Sequence, residues 1–272
     1  MKTLYISDLD GTLLNKDGFI SDYTIEIINK LITEGMNFTY ATARSLISSR
    51  PLTKKLNLNL PMIIYNGTFI IDGKSGKFIH KNIFSDSQVE FIKKIMIKNK
   101  INPMVYALVD NKERVTIINE KLNNGTKEYL IKRKKDPRIN LINDLNSLYQ
   151  GEVYYFTVIG NYHELNSVYD ILKNNINYNV TFQQEIYRDE YWLEIMPRMA
   201  SKANAILKLK EILKCDEVIC FGDAINDLEM FKVSNQSYAM ENAVDQLKKQ
   251  ATAVIDSNEN DGVANWLIKN FK

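Results

Sequence analysis

Cysteine is scarce in this sequence, and its two positions carry no recognisable motif. Cys215 and Cys220 are the only cysteines among 272 residues, and they stand five positions apart. That spacing fits neither a disulfide framework nor a CxxC redox or zinc motif. The scarcity argues against a disulfide-rich secreted domain and favours a reducing, cytoplasmic location.

The sequence also lacks an excess of charge of one sign, and it lacks long apolar runs. Lysine and arginine number 35 against 33 aspartate and glutamate residues, and the net charge of +2 offers no electrostatic footprint for DNA. No apolar run approaches the roughly 18 residues of a membrane span. Asp8 and Asp10 interrupt the N-terminus before a signal-like stretch can form. We therefore expect neither a nucleic acid nor a membrane as a partner.

What is present is a globular composition in which strand-like and helix-like segments alternate. Hydrophobic residues make up 45% and charged residues 25%, close to average usage, and the length favours two compact units or one large one. The alternation at both ends predicts a doubly wound, Rossmann-like parallel α/β core. The middle of the sequence does not show this regular alternation of strand-like and helix-like segments. We predict a discontinuous core domain, residues 1–84 and 195–272, interrupted by an inserted α+β domain, residues 85–194.

The predicted elements rest on apolar periodicity, helix caps and turn residues. In the core they are strands at 3–7, 37–41, 62–65 and 217–221, and helices after Ser21, after Ser45, at 201–213, after Asn226 and at 262–270. In the insert they are a helix at 86–98 and strands at 104–108, at 152–159, near Val180 and near Trp192. Residues 109–150, crowded with Lys, Asn and Asp, give no clear pattern.

Two carboxylates, Asp8 and Asp10, follow the first predicted strand. Open α/β sheets bind ligands where parallel strands end. The two negative charges repel each other, and a divalent cation such as Mg²⁺, which prefers oxygen ligands and binds substrate phosphate, relieves that repulsion. A calcium-binding EF-hand is excluded, because its sixth and twelfth positions, glycine and glutamate, are Leu13 and Phe19 here. A structural surface turn remains the alternative.

A second acidic cluster, in the segment FGDAINDLEM, follows the strand predicted at 217–221. Asn226 and Asp227 stand three and four positions beyond Asp223, so all three side chains can face one point. Alone, the cluster is equally well explained as a helix N-cap. Together with Asp8 and Asp10 it predicts a metal site.

Two further residues at element boundaries can neutralise a bound phosphate. Thr42 follows the second predicted strand and stands beside backbone N–H groups at a helix start, which is a natural anion site. Lys202 brings a compact positive charge to the first turn of its helix. Each residue has a plainer explanation, Thr42 as a helix cap and Lys202 as an exposed lysine.

Taken in order, these four elements resemble the haloacid dehalogenase superfamily of phosphatases. DLDGTLL is similar to its first motif, Thr42 to its second, Lys202 to its third and GDAIND to its fourth. Asn66 with Gly67, the stretch EIMPRMASKANAI and the C-terminal tail are similar to the Cof-type branch. The resemblance implies that residues 85–194 form an α/β cap between the second and third motifs.

The resemblance also implies a role for each motif residue. Asp8 would be the nucleophile that forms an aspartyl-phosphate, and Asp10 would protonate the leaving alcohol and then deprotonate water. The implied Mg²⁺ ligands are Asp8, the backbone carbonyl of Asp10, and Asp223, with Thr12 and Asp227 behind them. The implied phosphate-binding groups are Thr42, the Ala43 N–H, Lys202 and Asn226.

The expected activity is Mg²⁺-dependent hydrolysis of small phosphomonoesters, such as sugar phosphates or phosphorylated cofactors. Candidate specificity residues are Arg44, Tyr187, Arg188 and Trp192, although aromatic residues on strands are more often core. A phosphomutase or a dedicated sugar-phosphate phosphatase is the first alternative. A phospho-accepting receiver without turnover is disfavoured, because it needs neither an acid such as Asp10 nor a large insert.

Overall fold

The computed structural model describes residues 1–120, 122–184 and 189–271. The chain forms two compact units, one made of Met1–Lys81 with Ala200–Lys272 and the other of Asn82–Met199. The domain bounds predicted from sequence, 84/85 and 194/195, lie within a few residues of these ends, and residue 194 falls inside a strand. Among the described residues, no helix combines the length and the apolar character that a membrane crossing requires.

Strands and helices alternate through the first part of the chain and again at its end. The first part contains β1 (Thr3–Ser7), α1 (Asp22–Thr33), β2 (Asn37–Tyr40), α2 (Leu46–Thr53), β3 (Met62–Ile64), β4 (Phe69–Ile71) and β5 (Phe78–Lys81). The second unit contains α3 (Asp86–Lys98), β6 (Met104–Val109), β7 (Lys112–Ile118), α4 (Asn124–Lys132), β8 (Ile139–Ile142), β9 (Glu152–Gly160), α5 (Tyr162–Leu172), β10 (Tyr178–Gln184) and β11 (Tyr191–Pro197). The last part contains α6 (Lys202–Leu213), β12 (Glu217–Gly222), α7 (Leu228–Val233), β13 (Gln236–Met240), α8 (Asp245–Lys248), β14 (Ala253–Ile255) and α9 (Gly262–Asn270).

The first unit is built on a parallel sheet with the strand order β14-β13-β12-β1-β2. The chain leaves β1 towards β2 and leaves β12 towards β13, in opposite directions. With right-handed crossovers, the connecting helices then lie on opposite faces of the sheet. The point between β1 and β12 is therefore the topological switch point, where open α/β sheets bind their ligands. The predicted α/β fold class, with an inserted α+β unit, is confirmed.

Local signals in the sequence account for much of this core. The hydroxyl groups of Ser21 and Ser45 accept hydrogen bonds from backbone N–H groups at the starts of α1 and α2, as predicted. The strand predicted at 62–65 is shorter and pairs antiparallel with β4 in a separate three-stranded sheet. An isolated parallel bridge between Ala41 and Ile63 still links it to the end of β2.

The second unit is a six-stranded sheet in the order β10-β11-β9-β6-β7-β8. Helices α3 and α5 pack against it through apolar residues such as Met96 and Leu165, which share a hydrophobic core with Phe156 of β9. The region that gave no clear sequence pattern, residues 109–150, contains β7, α4 and β8. Helix α4 is joined to β6 by a hydrogen bond of 2.9 Å between the Tyr129 and Tyr106 hydroxyl groups.

Candidate active site

Asp8 is a buried carboxylate at the C-terminal end of β1. Its backbone N–H donates to the carbonyl oxygen of Phe221 at 2.9 Å, which extends the pairing of β1 with β12 by one residue. Its own carbonyl oxygen accepts a hydrogen bond from the Ser7 hydroxyl at 2.7 Å. The residue is 4% exposed. The backbone is therefore held on both sides at the switch point of the sheet.

Asp223 lies against the loop that follows Asp8. Its Oδ1 accepts a hydrogen bond of 2.8 Å from the Thr12 hydroxyl. Gly11, at a φ of +71°, packs so closely that an added Cβ would lie 2.2 Å from Asp223 Oδ2. Both the positive φ and the close approach require glycine at this position. The two acidic segments that the sequence placed at strand ends are thus in direct contact.

Asp227 is in contact with the Asp223 loop, and both of its carboxylate oxygens accept hydrogen bonds. Oδ2 accepts the backbone N–H groups of Asp223 and Ala224, each at 3.0 Å. Oδ1 accepts a hydrogen bond from the Lys202 ammonium at 2.7 Å. The side chain is fully buried. These contacts shape the loop after β12, and the position of Asp227 behind the metal ligands stays a prediction.

Lys202 forms ion pairs with both Asp8 and Asp227. Its Nζ lies 2.7 Å from Asp8 Oδ1 and 2.7 Å from Asp227 Oδ1, and the residue is 2% exposed. It is the first residue of α6, where the Ser201 hydroxyl accepts a capping hydrogen bond from the Asn204 N–H. A cation at a helix N-terminus is repelled by the positive end of the helix dipole. The surrounding carboxylates, and not the helix, therefore stabilise the charge at this position.

Burial dominates the electrostatics of the site. It raises the pKa of Asp8, an effect that Lys202 opposes and that Asp227 and Asp223 increase. It also raises the pKa of Asp223 to about 6, although the hydrogen bond from Thr12 favours the charged form. Burial alone would lower the pKa of Lys202, but the negative charges of Asp227 and Asp8 raise it above its ordinary value. Lys202 therefore stays cationic.

Asp10 is more exposed than Asp8, Asp223 and Asp227, and it is held by Arg44. The Nε and NH2 groups of Arg44 donate to the two carboxylate oxygens of Asp10 at 2.7 and 2.6 Å. The Asp10 side chain is half exposed. This two-pronged ion pair fixes the carboxylate as a planar unit. Sequence reasoning treated Arg44 as a specificity residue and did not anticipate its pairing with Asp10.

The predicted phosphate-binding groups surround the same end of the sheet. Thr42 is fully buried, its N–H donates to the Ile63 carbonyl oxygen, and its hydroxyl oxygen accepts the Arg44 N–H at 3.1 Å. Ala43, which follows it, is exposed. The Nδ2 group of Asn226 donates to Asn66 Oδ1 at 3.3 Å. The sequence predicts only a turn at Asn66 and Gly67, and it gives no indication that Asn66 contacts Asn226, which is predicted to bind phosphate.

The remaining candidate residues belong to the second unit. Tyr187 and Arg188 lie outside the described residues. Trp192, on β11, packs 6.0 Å from the Tyr129 ring and lines a cavity of about 210 Å³. Arg133 lies over the same tyrosine ring at 4.0 Å. None of these contacts assigns a substrate, and the specificity role of the three residues stays a prediction.

The donor set fits a hard divalent cation. Carboxylate oxygens of the predicted ligands Asp8 and Asp223 lie within 4.8 Å of each other, and an oxygen of Asp227, predicted to lie behind them, is within the same distance of both. Two oxygens bound to one Mg²⁺ at about 2.1 Å are at most about 4.2 Å apart, so small side-chain movements suffice. The pKa values of Asp8 and Asp223 are raised mainly by burial and further by neighbouring carboxylates, and a bound cation would offset both effects.

Mg²⁺ affinity is expected to rise with pH, because protons and the cation compete for the same carboxylates. In the metal-free folded protein the pKa of Asp223 is about 6, above its ordinary value of 3.8. Because this pKa is raised, the folded protein binds the Asp223 proton more tightly than the unfolded chain does. The resulting contribution to folding stability is present at low pH and is lost as the pH rises through the folded pKa. Titration calorimetry should show affinity falling by at least about tenfold from pH 8 to pH 5.

Two variants make this measurement specific to the site. Asp223→Asn removes both the titrating group and a ligand, and should remove measurable Mg²⁺ binding. Asp17→Asn, at an exposed position, should retain the wild-type pH dependence. An affinity that stays constant between pH 5 and pH 8 in the wild type would contradict the assignment of these carboxylates.

Comparisons with known proteins identify a family for nearly the whole chain. The model of a haloacid dehalogenase-like hydrolase family matches residues 5–267. The chain is 28% identical to a putative phosphatase of Buchnera aphidicola subsp. Schizaphis graminum, over 100% of this chain and 96% of that protein. It is 26% identical to the 5-amino-6-(5-phospho-D-ribitylamino)uracil phosphatase of Bacillus subtilis, over 98% and 97% of the two chains.

The fold is shared as well. A crystal structure of a haloacid dehalogenase-like hydrolase from Bacteroides thetaiotaomicron superposes with a TM-score of 0.81 and 26% identity. The superposition covers 100% of each chain. The similarity therefore includes both compact units.

Proposed function

The chain belongs to the haloacid dehalogenase-like hydrolase family and is a phosphatase, and from this premise we propose that it hydrolyses small phosphomonoesters through an aspartyl-phosphate on Asp8 with the help of Mg²⁺. One observation carries the proposal. Asp8 is buried at the switch point, 2.7 Å from the Lys202 ammonium and beside Asp223. Asp8 is suited to attack an anionic phosphoryl group, because the Lys202 ammonium and a Mg²⁺ bound with the help of Asp223 would both reduce the repulsion between the two anions.

In the first step, an oxygen of Asp8 forms a bond to phosphorus while the bond from phosphorus to the alcohol oxygen breaks. Asp10 gives its proton to that departing oxygen. In the second step, water loses a proton to Asp10 and attacks phosphorus, which releases inorganic phosphate and restores the Asp8 carboxylate. Asp10 is thus used first as an acid and then as a base, and atoms and charges balance over the cycle.

Four groups would hold the phosphoryl oxygens while charge develops on them, namely the Lys202 ammonium, the Thr42 hydroxyl, the Ala43 N–H and the Asn226 amide. Lys202 is the strongest of these because it is buried and stays cationic. Mg²⁺, bound by Asp8, Asp223 and the Asp10 carbonyl oxygen, would neutralise phosphoryl charge. Asp227 and Thr12 would keep these ligands in place through their hydrogen bonds.

Arg44 must release Asp10 during this cycle. Both oxygens of the Asp10 carboxylate accept hydrogen bonds from Arg44, and the oxygen that transfers the proton must face the departing alcohol or the attacking water and not the guanidinium. When a substrate arrives, its negative charge can attract the same guanidinium. We therefore retain Arg44 as a proposed specificity residue, with Tyr187, Arg188 and Trp192 proposed on sequence grounds alone.

Sugar phosphates and phosphorylated cofactors are the proposed substrates. A curated relative is named for a phosphorylated ribityl compound, and this chain aligns with it over nearly its full length. The sparse, unpaired cysteines keep the cytoplasm as the proposed location. A phosphomutase would share the first chemical step, and would return the phosphoryl group to a sugar instead of to water.

Phosphate release from an aryl phosphate tests this proposal. With Mg²⁺ the wild type should turn over, and EDTA should abolish turnover until Mg²⁺ is restored. Full activity in EDTA would contradict the metal dependence. A panel of sugar phosphates, analysed both for inorganic phosphate and for isomerised sugar phosphate, then separates a phosphatase from a mutase.

A further inference from the structure

A strained turn follows β3 in the first unit. Tyr65, Asn66 and Gly67 have φ values of +49°, +51° and +92°. Positive φ is costly for a residue with a side chain, and two such residues in succession before a glycine are unusual. Strain of this kind persists where the surrounding structure fixes it, and it is often found at functional sites.

The turn is bound to the loops that carry the site. The N–H groups of Tyr65 and Asn66 donate to the carbonyl oxygens of Arg44 and Thr42 at 3.0 and 2.9 Å. Gly67 approaches the start of α6 so closely that an added Cβ would lie 2.1 Å from the Ser201 carbonyl oxygen. The backbone of the turn therefore touches the segments before Lys202 and around Thr42.

The Asn66 side chain reaches a third segment. Its Oδ1 accepts a hydrogen bond of 3.3 Å from Nδ2 of Asn226. Asn226 is exposed and lies in the short 3₁₀ turn Ile225–Asp227, so its own element does little to fix its side chain. Among the described residues, Asn66 Oδ1 is the acceptor that the structure provides for this amide.

We propose that Asn66 is a positioning residue that holds the Asn226 amide in the orientation needed to bind the phosphoryl group. The inference rests on the proposed function, because it takes the phosphate-binding role of Asn226 from there. The strained turn brings Asn66 to this place, and the amide oxygen does the orienting. Asn66 acts through Asn226 and does not itself touch the reacting atoms.

A purely conformational role is the competing explanation, and substitution by glycine separates the two. Asparagine tolerates positive φ better than most residues, but glycine tolerates it best. If only the backbone mattered, Asn66→Gly would be neutral or stabilising. If the amide oxygen matters, Asn66→Gly loses activity although the turn is relaxed. Asn66→Ala removes the oxygen and adds strain, so it loses activity and stability together.

The experiment measures kcat and KM for Mg²⁺-dependent hydrolysis of an aryl phosphate. Asn66→Gly is expected to lower kcat about tenfold, the change that corresponds to one hydrogen bond, with KM nearly constant. Asn111→Gly is the matched control, because Asn111 also has a positive φ, +58°, but lies in the turn between β6 and β7. It should leave both constants unchanged. Thermal unfolding of each variant is measured in parallel.

A double-mutant cycle tests whether the effect of Asn66 on kcat depends on Asn226. If Asn66 acts through Asn226, the Asn66→Gly/Asn226→Ala protein should be no slower than Asn226→Ala alone. Wild-type kinetics for Asn66→Gly overturn the inference, and so do additive losses in the double variant. Both outcomes leave the proposed function intact if Asp8→Asn is inactive in the same assay. An active Asp8→Asn protein overturns the proposed function and the inference with it.

Discussion

Asp8→Asn is expected to lose at least about a thousandfold of the phosphatase activity while remaining folded, as is typical when a covalent nucleophile is removed. The amide has nearly the shape of the carboxylate and cannot form the acyl phosphate. It also binds Mg²⁺ less well, since it is neutral. Folding should be little affected, because burial already raises the pKa of Asp8 and so disfavours the charge that the substitution removes. Lys202 keeps its second partner, Asp227.

The control for this result is Asp17→Asn, which makes the same chemical change at an exposed position of the neighbouring loop. Its activity and unfolding temperature should match the wild type. Residual activity of Asp8→Asn above about one per cent would point to a different nucleophile, or to direct attack by water.

Lys202→Met is expected to have the second-largest effect, because it damages both activity and stability. The substitution leaves Asp8 and Asp227 buried without their shared cation. Breaking a buried ion pair by removing one partner costs about 3 kcal/mol or more. Activity should fall by about a hundredfold or more, the usual effect of losing one group that stabilises developing charge. Urea unfolding and aryl phosphate hydrolysis measure the two effects.

The same substitution on the same helix provides the control. Lys208 lies six residues further along α6, and its ion pair with Glu211 is exposed. Lys208→Met should change the free energy of unfolding by less than about 0.5 kcal/mol and leave activity unchanged. If Lys202→Met behaved like Lys208→Met, the buried cation would have neither the structural nor the chemical role assigned to it.

Elements with strong local signals could be predicted from the sequence. The bounds of β1, α3 and α9 agree with those predicted, because apolar periodicity and caps or turn residues mark both ends. β14 was missed because its three apolar residues, Ala253 to Ile255, are too short a run to indicate a strand. α5 was missed although Asn161 caps it and Leu165, Val168 and Leu172 recur at helical spacing, so a usable signal was overlooked.

The candidate site, too, could be predicted from the sequence only in part. The sequence identified the strand ends that carry Asp8 and Asp223, and the family match confirms the resemblance on which their roles depend. It could not indicate that Arg44 binds Asp10 or that Asn226 binds Asn66. Those contacts join residues 34 and 160 positions apart, and they depend on how loops from different strands pack. Patterns within one segment carry no information on such contacts.

Peptide mass spectrometry after a rapid acid quench tests the central claim most directly. The Asp10→Asn variant is mixed with Mg²⁺ and an aryl phosphate, whose phenolate leaves without needing a proton, while removal of the acyl phosphate is slowed by loss of the base. We expect one phosphoryl group on Asp8 as one equivalent of phenolate is released. A phosphoryl group on another residue, or an unmodified Asp8 after that release, would contradict it.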